Sequence, residues 1–406
     1  MNVCIVCSNR IDASVGGVES VCSNLVENLR KAHDVRFSYI YKYGDEKVNF
    51  FRESYLRLPE EVSSSNWNSS LAMIQGFLRD NEVDIIWYHE QNDMLLQQLI
   101  FQAGIKENAK VVSVLHVNPH IYYTDIPDLL SFSFFKLCKY GKVFPFVYRL
   151  LKTPLLYLKV IIVTRKYLRN LFSSSHRVVL LSQRFRNDFF KLGGIRPSDK
   201  VQAISNPILP ADYKGDGEKE NMVLVVARHV WQQKRIDRII KIWKKIEDKF
   251  EDWKLVIIGD GPAHGDYVKL AEDLKTHRLS FVGEQQPDEY YKKAKILCFS
   301  SSSEGFGLVL TEAQQYGCVP IAYRSYSALD DIIVDGETGY SVTPFREDEY
   351  IYKLSRLMSN EELRAEMSCH AMSSVKKFYV EKIALRWLQL FTSLKKRCSD
   401  YNGTGS

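Results

Sequence analysis

Two glutamates lie on either side of a glycine-rich segment in the last third of the chain. Glu304 and Glu312 have seven residues between them, and the segment Gly305–Leu308 has the pattern of a turn that leads into a helix. Carboxylates accept hydrogen bonds from sugar and ribose hydroxyls without a metal ion, and the free N–H groups at a helix start attract anions. The pattern predicts a site for an anionic ligand that carries hydroxyl groups. The alternative is an ordinary helix start with a capping glutamate.

Two basic residues occupy a second predicted strand–helix junction. Arg228 follows the apolar segment Met222–Ala227, and Lys234 lies six residues further on, near the start of a helix. Doubly wound domains bind ligands at the carboxyl ends of their strands, and two cations at such a position suit a diphosphate. The alternative is a solvated basic loop.

Two glycine pairs also follow predicted strands. Gly16 and Gly17 lie between the first strand and the first helix, where backbone N–H groups favour an anion. Gly259 and Gly261 follow a later strand. Neither pair fits G-x-G-x-x-G, so a nicotinamide-dependent dehydrogenase is only weakly supported. The alternative for the first pair is a tight turn.

Short apolar strands alternate with helical patterns along the chain, which is typical of parallel α/β sheets. The strands predicted in the first half are Val3–Cys7, Val35–Tyr41, Asp84–Tyr88, Val111–Leu115, Val178–Leu181 and Val201–Ile204. Those predicted in the second half are Met222–Ala227, Leu255–Ile258, Leu279–Val282, Ile296–Phe299 and Val319–Tyr323.

A polar, turn-rich stretch separates the two series of strands. We therefore predict an α/β protein with two Rossmann-like, doubly wound domains that face each other across a cleft. The first domain spans 1–207, the linker 208–220 and the second domain 221–377. A C-terminal helix at 378–396 is expected to pack back on the first domain.

Composition excludes several classes of protein. Of the 406 residues, 45% are hydrophobic and 26% charged, which is ordinary for a globular protein and unlike a disordered or collagen-like chain. Eight cysteines are too few for a disulfide framework, and Cys4 and Cys7 are expected to be buried in the first strand. The N-terminus lacks the basic start of a signal peptide, and no apolar run reaches membrane-spanning length. A cytoplasmic location is expected.

The basic charge is concentrated in one segment. Residues 129–187 contain twelve Lys or Arg and no Asp or Glu, although the net charge of the chain is only +6. Within 129–170 these bases are interleaved with aromatic and aliphatic residues, as in helices that lie on anionic lipid. We predict peripheral contact with an anionic membrane surface, on the inner face. The alternatives are ordinary packing with snorkelling lysines and a nucleic-acid groove, for which the segment is too apolar.

Taken in order, these motifs resemble those of the family 4 (group 1) glycosyltransferases. The matching segments run from residue 16 to residue 339. They are Gly16-Gly17-Val18-Glu19, His116 after its strand, Ser182, Asn206-Pro207, Arg228-x5-Lys234, Ile258-Gly259-Asp260-Gly261-Pro262, Phe281-Val282-Gly283, Glu304-x7-Glu312, Gly317-Cys318-Val319-Pro320 and Asp335-Gly336-Glu337-Thr338-Gly339. Where the family usually has a Gly-Gly turn and then Pro-Glu, this chain has the stretch Tyr323–Asp331.

The resemblance implies a GT-B architecture with a nucleotide-sugar donor on the C-terminal domain. Arg228 and Lys234 would hold the diphosphate, Glu312 the ribose, and Glu304 the transferred sugar together with the amides of Phe306 and Gly307. Further donor contacts would come from Gly16, Gly17, Gly259, Gly261, Gly305 and Leu308. His116 would lie beside the reacting centre, and the segment with His89, Glu90 and Asn92 would face the acceptor.

The implied activity is a retaining, metal-independent transfer of a hexosyl-type sugar from a UDP- or GDP-sugar to a glycan or lipid-linked acceptor of a surface polysaccharide or lipopolysaccharide. No D-x-D occurs in the sequence, so the two cations are expected to neutralise the diphosphate without a metal, and no cofactor is expected. The alternatives are a nucleotide-sugar epimerase or a phosphorylase of the same fold, and a membrane-docked scaffold with a dead site.

Overall fold

The computed structural model describes residues 1–9, 17–43, 54–63, 65–89, 93–119, 143–213, 215 and 217–399. Contacts divide the chain into two compact units. The first comprises Met1–Val117, Ile161–Leu209 and Phe378–Ser406, and the second comprises Asn118–Val160 and Pro210–Lys377.

The first unit is built on a seven-stranded parallel sheet with the strand order β3-β2-β1-β4-β5-β6-β7. Its strands are β1 (Asn2–Val6), β2 (Arg36–Tyr41), β3 (Ser54–Arg57), β4 (Ile85–Tyr88), β5 (Lys110–Leu115), β6 (Arg177–Leu180) and β7 (Val201–Ala203). The helices between them are α1 (Gly17–His33), α2 (Trp67–Asp80), α3 (Met94–Lys106), α4 (Val143–Ser174) and α5 (Phe185–Gly193).

The second unit has a six-stranded parallel sheet with the order β10-β9-β8-β11-β12-β13. Its strands are β8 (Glu220–Val226), β9 (Lys254–Ile258), β10 (Leu279–Phe281), β11 (Ala294–Phe299), β12 (Val319–Tyr323) and β13 (Tyr340–Val342). Its helices are α6 (Trp231–Lys234), α7 (Ile236–Ile246), α8 (His264–Asp273), α9 (Asp288–Lys293), α10 (Leu308–Gln315), α11 (Leu329–Ile332), α12 (Glu347–Ser359) and α13 (Glu361–Ser374).

In each sheet the first strand of the unit, β1 or β8, lies in the interior, and later strands are added first on one side of it and then on the other. Rossmann-like folds have this strand order. The predicted fold class, α/β with two doubly wound parallel sheets, is confirmed. Two strands were missed by the sequence analysis, β3 and β13. Each is an edge strand of three or four residues, and an edge strand does not need the continuous apolar run by which buried parallel strands are recognised.

The final helix, α14 (Val380–Ser399), belongs to the first unit. Its Trp387 ring lies 4.7 Å, centroid to centroid, from that of Trp87 on β4, and Phe391 lies 5.4 Å from the same indole. All three side chains are buried. The last helix therefore packs on a core residue from the first quarter of the chain.

The helix α4 is longer than the sheet that it accompanies. Its 32 residues span about 48 Å at 1.5 Å per residue. Leu168 and Leu171, near its carboxyl end, are buried. The division of the chain by contacts assigns Asn118–Val160 to the second unit, whereas the sequence analysis assigned all of 1–207 to the first domain. No helix among the described residues is both long and apolar enough to cross a lipid bilayer.

The amphipathic pattern of α7 gives the second unit much of its core. Its inward residues, at helical spacing, are Ile236, Ile239, Ile240, Trp243 and Ile246, and all are buried. Cys4 and Cys7 of the first unit are also buried, as expected. Burial raises the pKa of the Cys4 thiol to about 12, so this cysteine stays protonated and unreactive.

The loops after β8 and β9 approach each other so closely that only glycine fits at two positions of the second loop. Gly259, directly after β9, has φ +123°, and a Cβ atom there would collide with the carbonyl oxygen of Ala227. A Cβ on Gly261 would lie 2.7 Å from the carbonyl oxygen of His229. Packing between neighbouring loops thus accounts for both glycines.

We expect Gly259→Ala to destabilise the second unit by about 3 kcal/mol, because the added methyl group meets backbone and the backbone angle is strained for alanine. Gly265→Ala is the matched control. Gly265 lies in the first turn of α8, with no atom within 4 Å of a built Cβ, so alanine should be neutral or slightly stabilising. Thermal unfolding followed by circular dichroism compares the two. Equal midpoints for the two variants would contradict the steric argument.

Candidate functional site

The four charged residues predicted for the donor site lie on three elements of the second unit. Arg228 and Lys234 come after β8, and Glu304 comes after β11, the strand paired with β8 in the middle of the sheet. Glu312 is on α10, which follows the Glu304 loop. Because the carboxyl ends of neighbouring parallel strands lie at the same edge, the Arg228–Lys234 loop and the Glu304 loop are neighbours.

Lys234 and Glu304 form an ion pair across these loops. Lys234 Nζ donates to Glu304 Oε1 at 2.5 Å, and the side chains are only 18% and 11% exposed. A pair so far removed from water is stable only with good geometry, and removal of one partner would leave a buried charge. An ammonium group has three donors, so the contact with Glu304 leaves donors of Lys234 for a ligand.

The same two loops are joined by three further hydrogen bonds. Ser302 N–H donates to the Gln233 carbonyl at 2.7 Å, and the Ser300 hydroxyl donates to the Lys234 carbonyl at 2.9 Å. Gln233 Nε2 donates to the Ser303 carbonyl at 3.3 Å. The backbone on both sides of the ion pair is therefore fixed before any ligand binds.

Tyr326 supports the loop that follows Glu304. Its buried hydroxyl donates to the Phe306 carbonyl at 3.2 Å. Gly307 has φ +94°, and a Cβ atom there would collide with the hydroxyl of Tyr326. Burial and then the charge of Glu304 hold the pKa of Tyr326 well above its usual value, so the hydroxyl remains a donor. The hydroxyl of Tyr326 therefore leaves room only for glycine at position 307.

Glu312 has a different partner from Glu304. The hydroxyl of Tyr291, on α9, donates to Glu312 Oε2 at 3.1 Å. Burial raises the pKa of Glu312, the hydrogen bond from Tyr291 lowers it, and the nearby charge of Asp288 raises it. The two glutamates therefore occupy distinct surroundings, one paired with a cation and the other with a neutral phenol.

Arg228 is exposed in the loop after β8 that also leads to Lys234. No other described residue forms a hydrogen bond or ion pair with its guanidinium group. Such a group can bind an anion without first losing a partner. Its backbone carbonyl accepts from Val230 N–H at 2.8 Å, which shapes the loop.

The first unit brings two histidines together at the carboxyl edge of its own sheet. His89 follows β4 and His116 follows β5, and these strands are paired. His89 Nδ1 lies 2.7 Å from His116 Nε2, with the rings stacked at 5.0 Å between centroids. The Cys22 sulfur of α1 lies 3.5 Å from His89 Nδ1. Both histidines are buried.

Burial keeps both imidazoles neutral near pH 7. It lowers the pKa of His116 to about 4, and it lowers that of His89 well below 6.5, with the neighbouring His116 adding to the effect. Among the described residues, His116 Nδ1 is buried without a hydrogen-bond partner. A buried ring nitrogen in this state can accept from, or donate to, a ligand hydroxyl, depending on the tautomer.

The remaining predicted residues divide between described and undescribed parts of the chain. Gly17 is the exposed first residue of α1. Gly16, Glu90 and Asn92 lie outside the described residues. Gly305 directly follows Glu304, and Leu308 is the first residue of α10.

Sequence analysis missed the residues that hold the predicted ones in place. These are Tyr291, Ser300, Ser302, Tyr326 and Cys22. Of these, only Tyr326 could have been noticed in the sequence, because it lies in the stretch Tyr323–Asp331, which departs from the family pattern. The others act through tertiary contacts that no local spacing reveals.

A known family matches most of the segment Pro210–Lys377 of the second unit. Residues 213–373 match the model of the family described as Glycosyl transferases group 1. Arg228, Lys234, Glu304 and Glu312 all fall within the matched segment. Among curated proteins, the amylovoran biosynthesis glycosyltransferase AmsD of Erwinia amylovora is 30% identical over 229 residues, which are 53% of this chain and 62% of that protein. The matches cover 54%, 62% and 22% of the length of three curated relatives, less than two thirds in each case.

Solved structures resemble the chain over nearly its whole length. The apo form of the lipopolysaccharide outer core galactosyltransferase WaaB has a TM-score of 0.70 at 16% identity, covering 97% of this chain and 99% of that one. The Anabaena protein HepE, in complex with UDP and glucose, has a TM-score of 0.70 at 15% identity, covering 97% and 100%. The chain therefore has the GT-B fold of these proteins, and its second unit contains a segment similar to the group 1 glycosyltransferases.

Proposed function

We propose that the protein is a retaining glycosyltransferase that moves a sugar from a nucleotide-sugar donor to a glycan or lipid-linked acceptor in surface polysaccharide synthesis. The observation that carries the proposal is the largely buried Lys234–Glu304 ion pair after the central strands of the second sheet, with the exposed Arg228 in the same loop as Lys234. The family match to residues 213–373 supports it independently.

The two cations would act on the diphosphate. As the bond between the anomeric carbon and the phosphate oxygen breaks, negative charge develops on the leaving group, and preorganised cations stabilise that charge without a metal. Lys234 is fixed by Glu304 and by its backbone contacts, so little reorganisation is needed. The acceptor oxygen attacks from the face that the phosphate leaves, and the departing phosphate oxygen takes the proton of the acceptor hydroxyl.

The two glutamates would have separate tasks. Glu304, whose other contact is a cation, suits the hydroxyls of the transferred sugar, where charge changes during reaction. Glu312, already hydrogen-bonded to Tyr291, suits the ribose, which does not change. In the first unit, His116, whose Nδ1 atom has no partner among the described residues, would bind a hydroxyl of a substrate.

The names of the relatives support a class of donor and acceptor. HepE was solved with UDP and glucose, WaaB is a lipopolysaccharide outer core galactosyltransferase, and AmsD is named for amylovoran biosynthesis. We therefore propose a UDP-hexose as donor and a growing polysaccharide or lipopolysaccharide as acceptor.

A membrane surface would bring lipid-linked acceptors to the enzyme. The described part of α4 exposes Leu158, Ile162 and Val163, each more than half exposed, beside the exposed Lys159 and Lys166. Bases next to exposed apolar side chains suit the interface of an anionic bilayer. Lys136, Lys139 and Lys142 of the same predicted segment lie outside the described residues.

The reaction is tested with purified protein and a panel of UDP-, GDP-, ADP- and CMP-sugars. The cognate donor should raise the unfolding midpoint by mass action, and transfer is then measured with that donor. We expect Glu304→Gln to lower kcat by about 100- to 1,000-fold, because it loses an interaction that strengthens in the transition state. The glutamine carbonyl still accepts from Lys234, but Lys234 loses its counter-charge, so circular dichroism must show that the variant is folded before its kcat is compared. Glu312→Gln should instead raise the donor KM about tenfold, with kcat little changed.

Glu337→Gln is the control, since Glu337 is exposed on another loop of the same unit. It should leave both constants unchanged. The reverse pattern, in which Glu304→Gln affects only KM and Glu312→Gln only kcat, would show that the two roles are exchanged. Hydrolysis or epimerisation of the donor without an acceptor would instead favour another activity of this fold.

The neutral histidine pair predicts how stability depends on pH. The pKa of His116 is about 4 in the folded protein and about 6.5 when unfolded, so the unfolded state binds the proton first as pH falls. Stability should be full above pH 6.5 and decrease from there towards pH 4, by about 2 kcal/mol at pH 5 for this one group. His116→Gln should flatten that decrease.

Thermal unfolding at pH 7, 6 and 5 measures the effect. His370→Gln, at an exposed position of α13, is the control and should behave as the wild type. If His116→Gln loses as much stability between pH 7 and 5 as the wild type, then His116 does not remain neutral in the folded protein.

Membrane contact is tested by co-sedimentation with vesicles of phosphatidylglycerol or of phosphatidylcholine. The wild type should bind only the anionic vesicles, and less as salt rises. Lys159→Ser/Lys166→Ser should weaken binding by about 2 kcal/mol, or roughly 30-fold, at about 1 kcal/mol per basic residue. Lys269→Ser/Lys382→Ser removes two exposed lysines elsewhere and should have no effect. Equal binding to neutral vesicles, or no binding to either, would contradict the proposal.

A further inference from the structure

Three potential metal ligands meet where two loops of the second unit approach each other. His229 lies in the loop after β8, and Asp260 and His264 lie after β9, the strand paired with β8. The ligand atoms of all three lie within 4.8 Å of one another. None of the three has a role in the proposed transfer reaction.

The nitrogen atoms of the two imidazoles are about as far apart as two ligand atoms of one metal ion. His229 Nδ1 and His264 Nδ1 are 3.1 Å apart, and the rings are almost parallel. A tetrahedral zinc ion with bonds of about 2.0 to 2.1 Å places two of its nitrogens about 3.3 Å apart. Asp260 Oδ1 is 3.9 Å from His264 Nδ1, and the Asp260 side chain is 63% exposed, so it can rotate towards the imidazoles.

The backbone fixes the ligands in advance. His229 N–H donates to the Asp260 carbonyl at 2.8 Å, and Ala263 N–H donates to the His229 carbonyl at 2.9 Å. His264 N–H donates to the Gly261 carbonyl at 3.0 Å. The close contact at Gly261, where a side chain would not fit, holds the loops at this separation. Only side-chain rotations of exposed or half-exposed groups are needed to close a site.

We propose that His229, Asp260 and His264 bind one divalent transition-metal ion, with zinc the best fit. Two imidazoles and one carboxylate are a ligand set that zinc prefers, and three protein ligands leave a fourth position for water or an anionic oxygen. The ion would cross-link the loops after β8 and β9 and so stiffen the segment that carries Arg228. The site goes beyond the proposed transferase activity, which uses Arg228 and Lys234 and not this ion.

Metal binding is measured directly on the full chain. After chelator treatment and dialysis, Co²⁺ is titrated in as a spectroscopic probe, and Zn²⁺ is then added in competition. All proteins carry Cys369→Ser, because Cys369 is an exposed thiol that could take up metal. The variants are His264→Gln and Asp260→Asn, both at partly exposed side chains, and the control is His370→Gln on α13.

We expect the visible bands of four-coordinate Co²⁺ at one equivalent, displaced by Zn²⁺, in the parent and in the His370→Gln control. His264→Gln should weaken Zn²⁺ binding by about 100-fold or more and Asp260→Asn by about tenfold or more, because loss of a direct ligand should cost at least as much as the roughly 10- to 100-fold caused by loss of an outer-shell partner. Zn²⁺ should raise the unfolding midpoint of the parent but not that of His264→Gln.

Two results would overturn the site. One is the absence of a four-coordinate Co²⁺ spectrum in the parent, which would leave the histidines as a plain hydrogen-bonded pair. The other is equal affinity in the parent and in His264→Gln. Because both readouts are independent of transfer, they stand whether or not the protein proves to be a glycosyltransferase. Circular dichroism of the metal-free variants checks that each is folded.

Discussion

The pairing of β8 with β11 in the middle of the second sheet determines most of what the candidate site can do. These strands are far apart in sequence, yet their pairing brings the Lys234 loop beside the Glu304 loop. Two opposite charges can then share an environment from which water is largely excluded. Neither charge would be tolerated there alone, since the desolvation cost of an unpaired buried ion is several kcal/mol. The surrounding hydrogen bonds from Ser300 and Ser302 fix the distance at which the charges meet.

The first unit applies the same geometry to different chemistry. Adjacent strands again end in polar residues, but His89 and His116 are a neutral pair that burial keeps uncharged. The two units therefore offer complementary properties, with fixed charge in one and neutral hydrogen-bonding groups in the other.

The sequence was sufficient to predict the fold class and the positions of most strands, because buried parallel strands are continuous apolar runs and their helices repeat at 3.6 residues. It also placed Arg228 at a strand end, Lys234 near a helix start and Glu304 in a turn before a helix, which are local properties. The contacts between them are not local. The burial of the Lys234–Glu304 pair, the hydrogen bond from Tyr291 to Glu312 and the support of Gly307 by Tyr326 all depend on which strands are neighbours. No spacing within the chain contains that information.

The return of the last helix to the first unit has a consequence for the order of folding during synthesis. Trp87 on β4 packs against Trp387 and Phe391, so part of the first unit's core is absent until those residues have left the ribosome. Pro210–Lys377, in contrast, is continuous and is complete before α14 is made. Domains usually fold in the order in which they are synthesised. In this chain the core of the first unit is therefore completed only after the whole of the second unit has been synthesised.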